Sequence, residues 1–427
     1  MRESIWENFT ENGQKLSSDI EVNTLVIGGG ICGVLCAYYL KKQGVDAILV
    51  EKNKLGNGIT KNTTAVCSAA QDILYQDRIK KIGFVNAKKF LDANMFAISE
   101  YQKLSEKYDF DFENISTYLF NEKNNLRLFE EKEVLVEMGY DMKYNETLDI
   151  PFKAYETLKY SNECQFNPLK LINALSKEID YYTNVSVNKI SDNTAFCNEY
   201  KITAKNIIVA THFPSFKFKG LFPLKMHQNK SYVISFKTNK LSNDYYQSIK
   251  ADGFYMRRYN DQLILGANDI KTGCINSGFN RIKGYIVNNY PDAVITKEWI
   301  NQDCITLDDL PYIGLIRKGL YVATGFNMWG MTNSILSAYI LTNLITNGKS
   351  KYSELFNPNR KMLIKPMFNN LCNSVKNLLC FKTPRCPHLG SKLIYNEKEK
   401  IYECPCHGSK FHENGKLING PSKNNLR

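Results

Sequence analysis

Two thiols and two imidazoles recur late in the 427-residue chain, in the order Cys386-x-His388 and Cys404-x-x-His407. Each short motif contributes one of each. This arrangement suits a [2Fe–2S] centre in which one iron takes both thiolates and the other takes both imidazoles. Imidazoles are neutral where thiolates are charged, so the centre is reduced more easily. Potentials rise to about −150 to +300 mV, against about −400 mV for an all-Cys ferredoxin. Such a centre accepts electrons from a flavin. The other chemistry open to these residues is a structural zinc site, since two Cys and two His also satisfy a tetrahedral ion. Zinc ligands more usually arrive as a Cys pair and a His pair than as mixed pairs.

The flanks favour iron. Pro405-Cys-His-Gly-Ser-Lys-Phe411 and Asn419-Gly-Pro421 resemble the Rieske pattern, which implies Cys386, His388, Cys404 and His407 as cluster ligands. Between the motifs, Lys392–Asn396 and Ile401–Glu403, joined by Glu397-Lys-Glu-Lys400, read as a hairpin that sets the two loops side by side. There are two departures from the family. Ser391 stands where many Rieske domains carry a Cys disulfide-bonded to the position of Cys406, so the clip is expected to be less rigid. The base sheet that usually precedes the first motif is also missing. A segment of about forty residues (385–427) has a poor core of its own. It is expected to depend on its cluster and on docking against the rest of the chain. A linker helix is expected over 366–384.

The positioning elements of a second chemistry lie at the other end. Asn23–Ile27 reads as a buried strand ending in Gly28-Gly-Gly30-Ile31-Cys32-Gly33. An apolar helix follows, and then a strand, Ala47–Val50, that ends at Glu51 and Lys52. A Gly-x-Gly-x-x-Gly run in this strand–helix context, with an acid after the next strand, points to a dinucleotide. Gly28 permits the tight turn, Gly30 lets the backbone approach a pyrophosphate, and Gly33 allows close helix–strand packing. The first helical residues, Ile31 and Cys32, offer N–H groups to the anion. Glu51 suits a ribose hydroxyl and would repel a 2′-phosphate, which excludes NADP from this site. A later strand–glycine–helix segment, Gly319 to Thr332, favours FAD over NAD. Its helix start (Gly330, Met331, Thr332) after Gly325 can stabilise negative charge on a reduced flavin. A matching strand end supplies Ala210 and Thr211. No second Gly-x-Gly-x-x-Gly run appears, so a separate NAD(P)H domain is not expected.

These pieces resemble the FAD-dependent oxidoreductases of the D-amino-acid oxidase and glycine oxidase type over roughly residues 20–360. The resemblance is strongest to a bacterial subgroup with a C-terminal Rieske segment. The matching stretches are Ser4-Ile-Trp-Glu7, Gly58-Ile-Thr-Lys-Asn-Thr-Thr-Ala65, Gln165-Phe-Asn-Pro168, Gln302-Asp303 with Thr306-Leu-Asp308, Pro311-Tyr-Ile-Gly314 and Ala323 to Thr332. What this implies is an α/β fold: a Rossmann-like FAD-binding domain with an antiparallel, α+β substrate subdomain, plus a small C-terminal β segment. The oxidoreductase domain is set at 1–365, its FAD part at roughly 20–85, 160–215 and 300–350, and its substrate part at roughly 86–159 and 216–299. The resemblance also implies that Thr60, Thr63 and Thr64 lie near the flavin and its phosphates, that Val187 contacts the adenine region, and that Gly330 to Thr332 cap the ring. Read alone, the threonine cluster could equally cap a helix. Ile270, in Ala267-Asn-Asp-Ile-Lys-Thr-Gly273, replaces a His common in the subgroup, which puts a shared substrate in doubt.

Residues 216–300 carry alternating strands, and the resemblance implies that they form a sheet over the flavin face. On one of them Tyr255 and Arg257 point the same way, and such a pair would suit a substrate carboxylate. The plain alternative is a surface Arg beside a core Tyr. Trp329 is a further substrate-contact candidate, and Lys225 and His227 are weaker ones. Hydride transfer to a flavin needs no protein nucleophile, so no catalytic base is assigned.

Composition fits this reading. The net charge of +12 is spread along the chain with no arginine-rich run, which argues against nucleic-acid binding. The twelve Cys are scattered, as expected of a reducing, cytoplasmic compartment and not of a disulfide scaffold. Cys32 and Cys36 read as core residues. The first residues show no signal-peptide core, and the apolar run Ile335–Ile345 is too short to span a bilayer. The sequence therefore predicts an FAD-dependent dehydrogenase. Its substrate would be small, an amine or amino acid by resemblance, with electrons leaving through the Rieske-type cluster to an acceptor or donor protein. The alternatives are a flavin/iron–sulfur electron-transfer protein with no organic substrate and an assembly protein with a structural cluster.

Overall fold

The computed structural model describes residues 3–7, 10–216, 221–274, 278–361 and 384–426. The linker helix expected over 366–384 falls, up to residue 383, outside the described residues.

The strand Ile20–Ile27 is the centre of the first sheet. It runs parallel to Tyr200–Val209 on one side and to Ala47–Val50 on the other. Its last four residues are fully enclosed, as a strand covered on both faces requires. Leu320–Thr324 continues the parallel order beyond Tyr200–Val209, and Tyr312–Arg317 closes that edge antiparallel. The helices Ile31–Lys42 and Gly330–Asn347 pack against this sheet with long apolar faces, Val34, Leu35 and Leu40 facing Ile335, Leu336 and Ile340 in one core. Both helices start next to the carboxyl ends of strands, which is where open α/β sheets bind ligands. Neither start is capped by the side chain of its own N-cap residue or has an acid in its first turn, which favours an anion there.

A second, largely antiparallel sheet runs Val294–Thr306, Met226–Lys237, Gln262–Lys271, Tyr255–Tyr259, Tyr245–Ser248, Glu113–Asn121, Glu156–Gln165 and Val66–Cys67. Two of the expected boundaries shift as a result. Residues 160 and 300 fall inside strands of this sheet, because Glu156–Gln165 pairs along its length with Glu113–Asn121, and Val294–Thr306 pairs with Met226–Lys237. The chain between the two sheets, Thr60 to Ala65, is pinned from three sides. Trp6 Nε1 donates to Thr63 O (2.7 Å), Trp299 Nε1 to Asn62 O (2.8 Å), and Arg257 Nη1 to Thr64 O and Ala65 O (2.6 and 2.8 Å).

Four short antiparallel strands, Ile394–Asn396, Ile401–Glu403, Lys410–His412 and Leu417–Asn419, form the C-terminal sheet. The first two make the expected hairpin. Its core is small: Leu393 and Phe411 with Cys386, Cys404 and Cys406. Among the described residues no helix is long and apolar enough to cross a membrane.

Candidate cofactor sites and the wall between them

The two metal-motif loops are near copies of each other. Cys386 N donates to Ser391 O and Gly390 N to Cys386 O; Cys404 N donates to Ser409 O and Gly408 N to Cys404 O, at 2.8 and 2.9 Å in both cases. Gly390 and Gly408 share a φ of +76°, a region that only glycine enters freely. The repeated turn brings the thiols of Cys386 and Cys404 together and sets the rings of His388 and His407 5.1 Å apart. Among the described residues no three His, Cys, Asp or Glu side chains meet at a single-ion position; the four fall as a thiol pair and an imidazole pair.

The donor set fits a mixed-ligand two-iron cluster. The Nδ1 atoms of His388 and His407 are buried with no hydrogen-bond partner, a costly state for a ring nitrogen unless it is a ligand. Burial holds both imidazoles down to about 4, so they are neutral, as metal ligation demands. The Cys386 thiol is held down to about 7, first by Cys404, with the N–H groups of His388 and Leu389 and the Ser409 hydroxyl adding to it despite its burial. Cys406 is buried beside Cys404.

A cavity of about 1370 Å³ runs from the glycine turn to the C-terminal sheet. Gly28, Gly30, Ile31 and Cys32 line one end with Glu51 and Lys52; Thr60 and Thr63 line the side, Val187, Ala210 and Thr211 the far wall, and Gly330 and Met331 the other helix start. Glu51 is already oriented, accepting from Gly29 N (2.7 Å) and Asn53 N (2.9 Å). Thr60 Oγ1 accepts from Ile31 N at 3.1 Å, the place an anion would compete for. Thr211 Oγ1, His212 Nε2 and Ser334 Oγ line the same space, buried and without partners. Such a long polar cradle fits FAD. Four sequence candidates sit elsewhere. Gly33 packs under the turn, where an added Cβ would lie 1.8 Å from Gly28 O. Gly325 packs against Thr306. The Thr332 hydroxyl bonds to Ser68 N and O, leaving its place in the first helical turn as its link to the cradle. Thr64 lines a smaller, adjoining pocket.

Gly33→Ala is therefore expected to yield protein without flavin. The colliding atom is a backbone carbonyl that cannot turn away, so the substitution costs at least the ~1–3 kcal/mol usual for overpacking. Flavin absorbance per mole of purified protein checks it.

That adjoining pocket, about 40 Å³, meets the large cavity at Thr63, Asp303, Met328 and Met331. Tyr255 and Trp329, two of the substrate-contact candidates, line it. Arg257 does not. Its Nη1 is committed to the Thr64 and Ala65 carbonyls, and at 2 % exposure the guanidinium braces the loop that borders the flavin cavity. Strand phase gave the shared face correctly but not the partner. Lys225 is also a brace, donating to Pro358 O. His227 is half-buried and held down to about 4 by that burial. Sequence reasoning missed Asp72, which accepts from Trp329 Nε1 (2.8 Å) and Gln247 Nε2 (2.7 Å). No local pattern marks it, because its partners lie 175 and 257 residues away.

One layer of side chains separates the cluster motif from the cavity. Gln302 lines the cavity and donates to Gly408 O at 2.7 Å. Phe213, another lining residue, stands 5.4 Å from the His407 ring. His407 Nε2 donates to Pro223 O at 3.0 Å. Pro405 presses so closely on Gly273 that a Cβ there would lie 2.8 Å from it. A buried ion pair, Lys230 Nζ to Glu403 Oε2 at 2.5 Å, joins the second sheet to the C-terminal one, with side chains 0 % and 1 % exposed. Lys410, opposite Glu403 in the strand register, lies 3.9 Å from its other oxygen.

The comparisons with known proteins agree with this geometry. A family model described as FAD dependent oxidoreductase (DAO) matches residues 23–344, and a Rieske [2Fe-2S] domain model matches 367–427. The Rieske 2Fe-2S iron-sulfur protein YhfW of Bacillus subtilis (strain 168) is 26% identical over 98% of this chain and 96% of its own length. Among solved structures, glycine oxidase from Geobacillus kaustophilus superposes with a TM-score of 0.68 at 14% identity, covering 81% of this chain and all of that one. L-proline dehydrogenase from P. horikoshii gives 0.66 at 19% identity, covering 80% and 98%. These likenesses establish the fold. Model and geometry together show that the chain belongs to the DAO family of FAD-dependent oxidoreductases and carries FAD and a C-terminal Rieske [2Fe-2S] domain.

Proposed function

We propose that this oxidoreductase is a dehydrogenase that oxidises a small amine or amino acid and passes the electrons through its Rieske cluster to a partner protein. The observation that carries the reading is the single layer, Gln302 and Phe213, between flavin cavity and cluster motif. An enzyme that gave its electrons directly to oxygen would have no use for a second centre at that place. Held by the cavity residues, FAD would supply hydride acceptance, and a cluster on Cys386, His388, Cys404 and His407 would supply one-electron transfer. The chain's own contribution is orientation: Glu51 and the two helix starts hold the cofactor's polar ends, Trp6, Trp299 and Arg257 fix the loop beside it, and the pocket at Trp329 admits the substrate. The candidate cofactor residues that line the cavity, Gly28, Gly30, Ile31, Cys32, Glu51, Lys52, Thr60, Thr63, Val187, Ala210, Thr211, Gly330 and Met331, are assigned on this basis, with Gly33, Thr64, Gly325 and Thr332 packed beside them, as are the ligands Cys386, His388, Cys404 and His407. The related folds named for glycine and L-proline support a substrate with nitrogen beside the carbon that loses hydride.

Anaerobic titration of the holoenzyme tests this. A substrate should bleach the flavin absorbance and then raise the EPR signal of a reduced mixed-ligand cluster. Bleaching without that signal would remove the cluster from the pathway. A signal obtained only with a reduced electron-transfer protein, and with no amine or amino acid, would favour the module without an organic substrate.

A further inference from the structure

The small pocket beside the flavin cavity has an unusual balance of donors and acceptors. Asp72 and Asp303 both line it, and Asp303 is 8 % exposed with Oδ2 accepting from Asn301 Nδ2 at 2.6 Å. Asp269 stands close enough for the three carboxyls to repel one another, and its Oδ1 has no hydrogen-bond partner. Gln247 lines the pocket at 6 % exposure, and its Oε1 is buried without a partner; Asn301 Oδ1 is in the same state. Buried acceptors without donors cost about 1–3 kcal/mol each unless something supplies the missing N–H.

One buried cation, Arg78, acts on Asp72 from outside the pocket, but none lines the pocket itself. Neither Arg nor Lys is among the residues lining the pocket, and the cation on the adjacent strand, Arg257, is turned onto the Thr64 and Ala65 carbonyls. The remaining walls are aromatic (Tyr245, Tyr255, Trp329), apolar (Val66, Met328, Met331) and hydroxyl-bearing (Thr63, Thr64, Ser231), with no charged donor among them. Aromatic faces attract an ammonium and offer nothing to a carboxylate. The pocket holds about 40 Å³, room for a head group and little more.

Resting on the dehydrogenase reading above, we infer that this pocket binds the substrate as an ammonium ion and lacks any cationic clamp for a carboxylate, so that the substrate class is an aliphatic amine and not an amino acid. The ammonium donates to Asp72, Asp303 and Gln247 Oε1. Oxidation removes one proton from nitrogen, to a pocket carboxylate, and one hydride from the neighbouring carbon, to the flavin. The product is an iminium ion, which water converts to a carbonyl compound and a free amine or ammonia. Burial and its two acidic neighbours push the Asp303 carboxyl up to about 7, a range suited to accepting that proton near neutrality.

The test uses matched pairs that differ only in the carboxylate, pyrrolidine against proline and benzylamine against phenylglycine, titrated into anaerobic holoenzyme. Binding is read from the perturbed spectrum of the oxidised flavin and turnover from bleaching. Each amine should bind at least about 10-fold more tightly than its amino acid. Asp303→Asn and, independently, Asp72→Asn should weaken amine binding by about 30-fold or more, the effect of removing one member of a buried charge pair, with flavin and iron content unchanged. An amino acid that binds or reduces better than its amine overturns the inference and leaves the dehydrogenase reading standing. Unchanged amine affinity in both variants also overturns it. If neither class perturbs or bleaches the flavin, the dehydrogenase reading fails and this inference falls with it.

Discussion

Glu403→Leu is expected to destabilise the docked C-terminal sheet by about 3–5 kcal/mol, the range for stripping a buried ion of its partner. Lys230→Met should cost at least ~1 kcal/mol less. The asymmetry comes from Lys410. With Lys230 gone, Glu403 keeps an ammonium within 3.9 Å. With Glu403 gone, two ammoniums that are 0 % and 6 % exposed face each other with no anion between them. Lys410 already feels this pressure: burial, with Lys230 adding to it against the pull of Glu403, lowers it to about 8. Limited proteolysis in the 361–384 segment, compared across the two variants and the parent, reads the loss of docking. Equal sensitivity in both variants would show that Lys410 plays no part.

Cys404→Ser should remove the cluster entirely, with iron and acid-labile sulfide falling to background while flavin remains. Its thiol pairs with Cys386 at the centre of the five-residue core, so the four strands should lose their fold along with the metal. Metal ligation supplies on the order of 10 kcal/mol to small domains of this kind, far more than Leu393 and Phe411 can bury. The flavin domain has its own large core. Its thermal transition should survive, as should bleaching by a substrate under anaerobic conditions, whereas reduction of a one-electron acceptor protein should be lost. If the tail remains protease-resistant without iron, the docking contacts alone hold it.

The two candidate ligand motifs were legible in the chain because each residue lies within three of its motif partner, and a local turn repeated twice brings the thiols and imidazoles together in pairs. The glycine turn was legible for the same reason: Gly28 to Glu51 is one strand–helix–strand unit. What escaped was assembled across distance. Lys230 and Glu403 are 173 residues apart, and nothing near either one distinguishes a buried ion pair from a solvated charge. Asp72 sits in a short connection whose meaning depends on Trp329 and Gln247. Arg257 was found as a residue but given a carboxylate to hold, because strand alternation reveals a shared face and is silent about what meets it. The rough boundaries at 160 and 300 fall inside continuous strands, Glu156–Gln165 and Val294–Thr306, whose pairing runs past them.

The wall against which the tail leans, Pro223, Lys230, Gly273 and Gln302, precedes the tail in the chain. During synthesis all four of these residues are made before Cys386 leaves the ribosome. Iron loading thus becomes a late step of maturation that reports whether the preceding domain has folded, and a tail transplanted onto another protein would arrive without the surface that finishes it.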